Sequence, residues 1–196
     1  MNRGDLERGA IHWSGPGHPA NPPGGNTPIH RFHYALLAAS LCIPVAGGAR
    51  AADVAPAPNG IEIPAGYKDW RAIGVSHRTD NQTLRLILGN DTAIAAARAG
   101  QTRPWPDGAI LAKIVLKDAA HSHWPAATVP GRFVHAEFML KDSAKYASTG
   151  GWGYARWIGE QQTPYGSDAN FAQECHGCHT PMQDNDFVFT EPVPLP

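Results

Sequence analysis

Near its C-terminal end the sequence reads Cys-His-Gly-Cys-His at residues 175–179. This C-x-x-C-H pattern is typical of covalent haem attachment, because two thiols at this spacing can bond to neighbouring vinyl groups of one porphyrin. The histidine that follows the second cysteine is then held beneath the iron. The pattern therefore predicts haem c as the cofactor, attached through Cys175 and Cys178, with His179 as an iron ligand.

A redox-active dithiol and a structural zinc site are weaker interpretations of the two cysteines. A redox-active dithiol should follow a strand and open a helix in a βαβ unit, which the residues before Cys175 do not suggest. A structural zinc site needs four ligands, usually with a second Cys or His pair at similar spacing. The remaining cysteine of the chain is Cys42, far from the pattern, so haem attachment is the favoured interpretation.

The N-terminal region of the chain has the features of an export signal. An apolar run at residues 34–46, too short to span a membrane stably, is followed by Ala49-Arg50-Ala51, a small-x-small cleavage site. We predict that residues 1–51 are an N-terminal extension and signal peptide, cleaved after about Ala51. Residues 52–60 then form a Pro/Ala-rich linker and residues 61–196 a single haem c domain. The mature protein would reside in the periplasm.

Charge and hydropathy exclude two classes of partner. The whole chain carries a formal net charge of −1, and the region after the predicted cleavage site is slightly acidic, which argues against binding to nucleic acid or to an anionic membrane surface. No apolar run of membrane-spanning length follows the signal. We expect neither a nucleic-acid nor a membrane partner.

Hydrophobic patterning predicts several strands followed by one helix that delivers the haem motif. Strands are expected at residues 72–75, 83–88, 109–117, 132–140 and 152–158. A short helix or turn is expected at residues 67–71. Short helices are expected at residues 91–99 (with Asp91 as the cap) and 142–147, with a loop at 118–131. The last helix starts at Ser167 or Asp168, and residues 186–190 run outward from it. This order predicts an α+β fold with a mainly antiparallel sheet, unlike the small helical electron-transfer cytochromes c.

Three charged residues interrupt apolar strands. Lys113 is either buried for a functional reason, at a cost of several kcal/mol unless compensated, or its amine reaches the sheet edge, and the sequence favours neither. Arg85 and Glu137 could form a structural ion pair. Strand alternation also places Glu137 on one face with His135 and Met139, a face polar enough to line a cofactor pocket.

Three further residues could be metal ligands, although each also suits a simpler structural role. Met139 could be a sixth iron ligand, but a strand methionine more often fills the core. His121 and His123 resemble a metal pair, but solvated loop histidines are the commoner case.

Taken together, these motifs resemble those of the cytochrome P-460 family and its relatives, the beta-type cytochromes c-prime. The resemblance runs over about residues 64–194 and depends on both order and spacing. The motifs are Pro-Ala-Gly-Tyr-Lys-Asp-Trp at 64–70, Arg85, Pro-Asp-Gly at 106–108 with Lys113 beyond it, Glu137 ahead of Lys-Asp-Ser at 141–143, the haem motif, and Asp-Phe-Val-Phe-Thr at 186–190. Residues 118–131 and the short C-terminal tail depart from the family pattern.

The resemblance implies a specific site. Lys113 would be bonded through its amine to a haem meso carbon, and the iron would be five-coordinate. Glu137 and Arg85 would lie over the open iron position, as proton acceptor and as orienting group. Family members are homodimers, so the resemblance also implies a homodimer here.

The resemblance further implies oxidation of hydroxylamine to nitrous oxide, with electrons passed to an external acceptor such as a periplasmic cytochrome c. A nitric oxide-binding or carrier cytochrome of the beta-type c-prime kind is the first alternative. A simple electron-transfer cytochrome is the second, and it requires Met139 or a histidine as sixth iron ligand.

Overall fold

The computed structural model describes residues 54–194. The predicted leader, its cleavage site and Cys42 lie outside these residues. Within them, no helix is long and apolar enough to cross a membrane.

A single antiparallel sheet of six strands forms the framework of the described part of the chain. Each strand pairs with its neighbours in sequence, in the order β1-β2-β3-β4-β5-β6. The strands are β1 (Arg71–Arg78), β2 (Thr83–Gly89), β3 (Ile110–His121), β4 (Trp124–Lys141), β5 (Trp152–Ile158) and β6 (Thr163–Pro164). Two α-helices accompany the sheet, α1 (Asp91–Arg98) and α2 (Phe171–His179), with 3-10 helices at Tyr67–Asp69, Ala147–Thr149 and Thr180–Asn185. The predicted α+β fold with a mainly antiparallel sheet is confirmed.

Helix α1 follows β2 directly, and its cap lies one residue before the predicted one. Asn90 has an extended backbone, and its side-chain oxygen accepts a hydrogen bond from the Ala93 N–H at 3.0 Å. Asp91 is instead the first helical residue, and its exposed carboxylate contacts Arg71. An amide oxygen at the N-cap satisfies one of the free N–H groups of the first helical turn, so Asn90 is the N-cap of the helix.

The prediction of a loop at residues 118–131 is wrong. Strands β3 and β4 continue through this region as a long hairpin, with Asp118 opposite Pro130 and Ala120 opposite Thr128. Most side chains of this hairpin are solvent-exposed, and Trp124 is 65% exposed. Because neither face is buried, the sequence lacks the apolar alternation from which strands are predicted, while the backbone pairing persists.

Two helical predictions need smaller corrections. In place of a helix at 142–147, residues 143–146 form turns, and a single 3-10 turn follows at Ala147–Thr149. Helix α2 begins at Phe171, later than the expected Ser167 or Asp168, and ends at His179. The haem motif therefore occupies the C-terminal half of α2.

Two clusters of buried residues cover the two faces of the sheet. The first contains Phe138 and Trp157 and is covered by the segment before β1, including Ala57 and Ile61. The indole N–H of Trp157 donates to the Ala55 carbonyl at 2.9 Å, and Ala57 is buried. Part of residues 52–60, the expected linker, therefore packs on the sheet.

The second cluster lies on the opposite face and joins the sheet to α1 and to the C-terminal segment. Its members include Ile73, Ile94, Trp105, Trp152 and Val188. Val188 is 2% exposed, so residues 186–190 fold back onto the domain instead of running outward. Cys175 packs against both clusters, which fixes the haem motif against the sheet.

Candidate functional site

A cavity of about 600 Å³ lies between helix α2, the sheet and the C-terminal segment. This volume is within the range of typical ligand pockets, about 300–1,000 Å³. All six residues predicted from the sequence line it: Arg85, Lys113, Glu137, Cys175, Cys178 and His179. The structure therefore brings together residues that are up to 94 positions apart in the chain.

Three charged residues form a row across the cavity side of the sheet. Lys113 on β3 is directly opposite Glu137 on β4, which is directly opposite Arg156 on β5. Directly opposite residues of an antiparallel sheet point to the same face, so the three side chains lie next to each other. Strand register thus places one carboxylate between two cations.

Glu137 is the centre of this charged row. Its Oε2 contacts Lys113 Nζ, and its Oε1 lies 2.7 Å from Arg156 Nε and 3.2 Å from His135 Nε2. Burial alone would raise the pKa of Glu137, but the hydrogen bond from His135 and the charges of Lys113 and Arg156 outweigh burial and hold the pKa well below its usual range. The carboxylate is therefore ionised throughout the neutral pH range.

Arg85 is not the partner of Glu137. It lies two residues before Ile87, the β2 residue opposite Lys113, and so faces the same cavity. Its buried Nε has no hydrogen-bond partner among residues 54–194. Burial and the nearby charge of Arg78 lower the pKa of the Arg85 guanidinium. The Glu137 carboxylate is already in contact with Lys113, Arg156 and His135. The Arg85 guanidinium is therefore available to interact with a ligand in the cavity.

The opposite wall of the cavity presents the haem motif. His179 Nδ1 donates to the Phe187 carbonyl at 2.7 Å, which leaves Nε2 as the nitrogen able to bind a metal. Burial lowers the pKa of His179 and favours its neutral form, the form that ligates metals. The ring also packs near Tyr154 and Phe189, with centroids 5.2 and 5.1 Å away.

The two cysteines are free thiols on the same wall. Cys175 is half-buried and Cys178 is exposed. Burial raises the pKa of the Cys175 thiol. Neither thiol is paired with another cysteine of the described residues, so both are available for thioether bonds to one ligand.

A haem group fits these residues. The cavity offers two thiols for thioether bonds and a neutral imidazole for the iron, the attachment groups of haem c. Among the buried polar atoms of cavity-lining residues, Arg85 Nε and Tyr154 Oη have neither a hydrogen bond nor an ion-pair partner in the described part of the chain. Buried polar atoms without partners in the protein indicate a missing ligand or water.

The other candidate ligands are placed differently. Met139 lines the same cavity but also packs against the buried cluster of Trp152 and Val188. His121 and His123 lie at the exposed hairpin, with ring centroids 6.2 Å apart. Across the described residues, no group of three or more His, Cys, Asp or Glu side chains is arranged to hold a metal ion, so the histidine pair is not a metal site of that kind.

Sequence reasoning missed Arg156. It is a charge within the apolar strand β5, the same signal that singled out Arg85 and Glu137, and could have been found in the same way. Its guanidinium also lies over the ring of Tyr165, 4.6 Å from the centroid. The Tyr165 hydroxyl donates to Glu174 at 2.9 Å, which links the charged row to the residue just before Cys175.

Comparison with known proteins points to one family. The family profile described as Cytochrome P460 matches residues 64–190, a range that includes all six predicted site residues. No curated protein matches the sequence.

Proposed function

The chain belongs to the cytochrome P460 family of haem c oxidoreductases, and from this we propose that it is a periplasmic enzyme that oxidises hydroxylamine to nitrous oxide. One observation carries the proposal. The Lys113–Glu137 pair and the Cys175–His179 motif face each other across a single cavity. A base, a lysine at the family position and a haem attachment motif are thus within one site.

We propose that Cys175, Cys178 and His179 hold the haem and that Lys113 adds a further covalent bond. Forming an N–C bond to a porphyrin carbon removes one hydrogen from the amine and one from the carbon, so two electrons must pass to an oxidant such as a peroxide. The ammonium must first lose a proton to solvent, and the Glu137 carboxylate that contacts it would hold the lysine side chain in place.

Bound haem would supply an iron centre that binds the nitrogen compound and takes electrons from it. The overall reaction converts two hydroxylamine molecules into one nitrous oxide and one water, with release of four protons and four electrons. The sequence has a single C-x-x-C-H motif, so the electrons pass to an external acceptor, for which a periplasmic cytochrome c is suited.

The residues of the chain would manage the protons and the orientation of the substrate. Glu137 is ionised at neutral pH and 16% exposed. Loss of the Lys113 charge on cross-linking would raise the pKa of Glu137 and let it accept protons where few waters reach. The guanidinium of Arg85, unpaired through its Nε within the described residues, can donate hydrogen bonds to the hydroxylamine oxygen. His135 and Arg156 hold the Glu137 carboxylate in place.

Two measurements on the mature haem-loaded protein test the proposal. The ferrous spectrum should be shifted far to the red of ordinary haem c, because a nitrogen substituent changes the porphyrin. With an artificial electron acceptor, the protein should produce one nitrous oxide per two hydroxylamine molecules consumed. A red-shifted haem without hydroxylamine turnover would contradict the enzymatic role.

A nitric oxide-binding or carrier protein of the c-prime kind is the second candidate. It is favoured by the three neighbours of Glu137, which make the carboxylate a weak base and suit it to a structural role. A hydroxylamine oxidation assay distinguishes the two candidates, because a carrier would bind nitric oxide tightly and leave hydroxylamine unoxidised. An electron-transfer role would instead require Met139 or a histidine as the sixth iron ligand. We also propose a homodimer, on the family resemblance alone.

A further inference from the structure

The carbonyl that accepts the His179 hydrogen bond belongs to a tightly turned segment. Asp186 and Phe187 have φ values of 49° and 64°, a left-handed conformation that residues other than glycine seldom adopt. The two residues follow the 3-10 helix Thr180–Asn185 and reverse the chain, so that the Phe187 carbonyl returns to the His179 ring. Backbone in such regions persists only where its surroundings fix it.

Asp186 is fixed from three directions. Lys141 Nζ donates to Asp186 Oδ1 at 2.7 Å, the Trp105 backbone N–H donates to Oδ2 at 2.8 Å, and the Trp152 indole N–H donates to the Asp186 carbonyl at 2.8 Å. Both tryptophans are almost completely buried. The left-handed turn is therefore attached to the rigid core of the domain.

The Lys141–Asp186 ion pair is itself buried. The two side chains are 5% and 11% exposed, and the Lys141 ammonium also lies over the Trp152 ring, 5.0 Å from its centroid. A buried ion pair is costly to desolvate and contributes little net stability. Neither residue is among those that line the cavity in the described part of the chain, so direct contact with a substrate does not explain the pair.

We infer that the Lys141–Asp186 ion pair positions His179, by holding the Phe187 carbonyl as acceptor for the Nδ1 proton. The inference rests on the proposed role of His179 as iron ligand. A histidine that donates this proton to a fixed acceptor is a more basic and better oriented ligand through its other nitrogen. A more strongly donating ligand stabilises ferric over ferrous iron. The ion pair thereby lowers the reduction potential of the haem without touching it.

The test uses haem-loaded variants and two readouts other than turnover. Asp186→Asn removes the charge but keeps a residue that tolerates the left-handed conformation. We expect its ferrous iron–histidine stretching band to move to lower frequency in resonance Raman spectra, and its reduction potential to become more positive. Lys141→Met should shift both in the same direction, and Lys141→Arg, which keeps the charge, should return both toward the wild-type values.

Ile94→Ala is the matched control for a general loss of stability. Ile94 belongs to the same buried cluster as Trp105 and Trp152 but lies on α1, so this variant should lose stability with the band and the potential unchanged. Haem-loaded Asp186→Asn and Lys141→Met proteins with wild-type values would overturn the inference.

If those variants fail to retain haem, a measurement on the unmodified protein tests the hydrogen bond on which the inference depends. The hydrogen-bonded His179 Nδ1 proton, observed as a shifted NMR resonance, should exchange slowly with solvent. Rapid exchange would contradict a fixed hydrogen bond to Phe187. The complete absence of an iron–histidine band in the wild type would instead count against His179 as a ligand, and so against the proposed function.

Discussion

Lys113 and Glu137 occupy directly opposite positions on β3 and β4, and the lysine ammonium contacts the carboxylate. This contact couples two proposed features of the site. While Lys113 is a free cation, its charge lowers the pKa of Glu137. A bond from its nitrogen to haem would remove the positive charge and raise the pKa of Glu137, because an opposite charge would be lost from its surroundings. Formation of the cross-link would therefore make Glu137 a stronger base.

The first prediction is that Lys113 carries the cross-link. Lys113 lines the cavity, whereas Lys117 is directed elsewhere, with its Nζ donating to the Asn81 carbonyl at 2.9 Å. Digestion of the haem-loaded protein should give a haem-bearing mass that contains both the Lys113 peptide and the peptide of the haem motif.

Variants of the two lysines provide the control for this prediction. Lys113→Met should give the spectrum of ordinary haem c, and Lys117→Met should leave the red-shifted spectrum unchanged. A haem peptide that carries only the cysteine segment in the wild type would contradict the prediction.

The sheet could be predicted from sequence only where one face is buried. The boundaries of β5, Trp152–Ile158, match those expected, because its residues are nearly all buried. The outer half of the β3–β4 hairpin was missed, because both of its faces meet solvent and Pro125, Pro130 and Gly131 resemble loop residues. Pairing there is a backbone property that side-chain patterning does not report.

The site was predictable to the extent that its residues break local patterns. Lys113, Glu137 and Arg85 are charges in apolar strands, and all three line one cavity. Asp186 and Lys141 each lie in a motif that was recognised, but their pairing joins positions 45 residues apart. Which residues meet across such a distance depends on strand register and chain reversal, which a single sequence does not specify.

The second prediction concerns Glu137 as a proton acceptor. Glu137→Gln keeps the shape of the side chain and removes the base, so haem attachment and hydroxylamine binding should survive while turnover falls by about 10²- to 10⁴-fold. The measurement is the steady-state rate of hydroxylamine oxidation, with binding followed by the haem spectrum.

Glu160→Gln is the control, since Glu160 is exposed and lies away from the cavity lining. Its rate should match that of the wild type. An undiminished rate in a folded Glu137→Gln protein would make Glu137 structural and would favour the binding alternative.

The third prediction is that the ferrous protein binds carbon monoxide. The charged row facing the haem motif contains Glu137, Lys113 and Arg156, none of which is a strong ligand for ferrous haem iron. Carbon monoxide should therefore shift the ferrous spectrum on mixing, and Met139→Ala should bind it equally well. If the wild type is low-spin and refuses carbon monoxide, and Met139→Ala regains binding, the electron-transfer alternative is correct.

The fourth prediction tests the start of α1. The Asn90 side-chain oxygen accepts hydrogen bonds from the N–H groups of Ala93 and Ile110, both at 3.0 Å. Asn90→Ala removes the cap and leaves both donors without that partner, so the free energy of unfolding should fall by about 1–2 kcal/mol. Denaturant unfolding of the haem-loaded protein measures the change. Asp91→Asn, which alters an exposed neighbour, should have a much smaller effect, and equal losses would contradict the role assigned to Asn90.

The last prediction assigns the acidity of Glu137 partly to Arg156. With Lys113 as a free cation the carboxyl has a lowered pKa, so it stays ionised well into the acidic range. Arg156→Gln removes one of the charges that lower this pKa. The pKa should therefore rise, and the pH below which kcat/KM declines should move upward by about one pH unit or more, since one neighbouring opposite charge is worth roughly one to three units. Arg132→Gln, an exposed arginine on β4, controls for the change in net charge and should leave the profile unchanged. An acidic limb of the Arg156→Gln profile that coincides with that of the wild type would contradict the prediction. Either Glu137 is then not the base that the limb reports, or Arg156 does not control the pKa of Glu137. Glu137→Gln distinguishes the two cases, because it abolishes the limb only if Glu137 is the base.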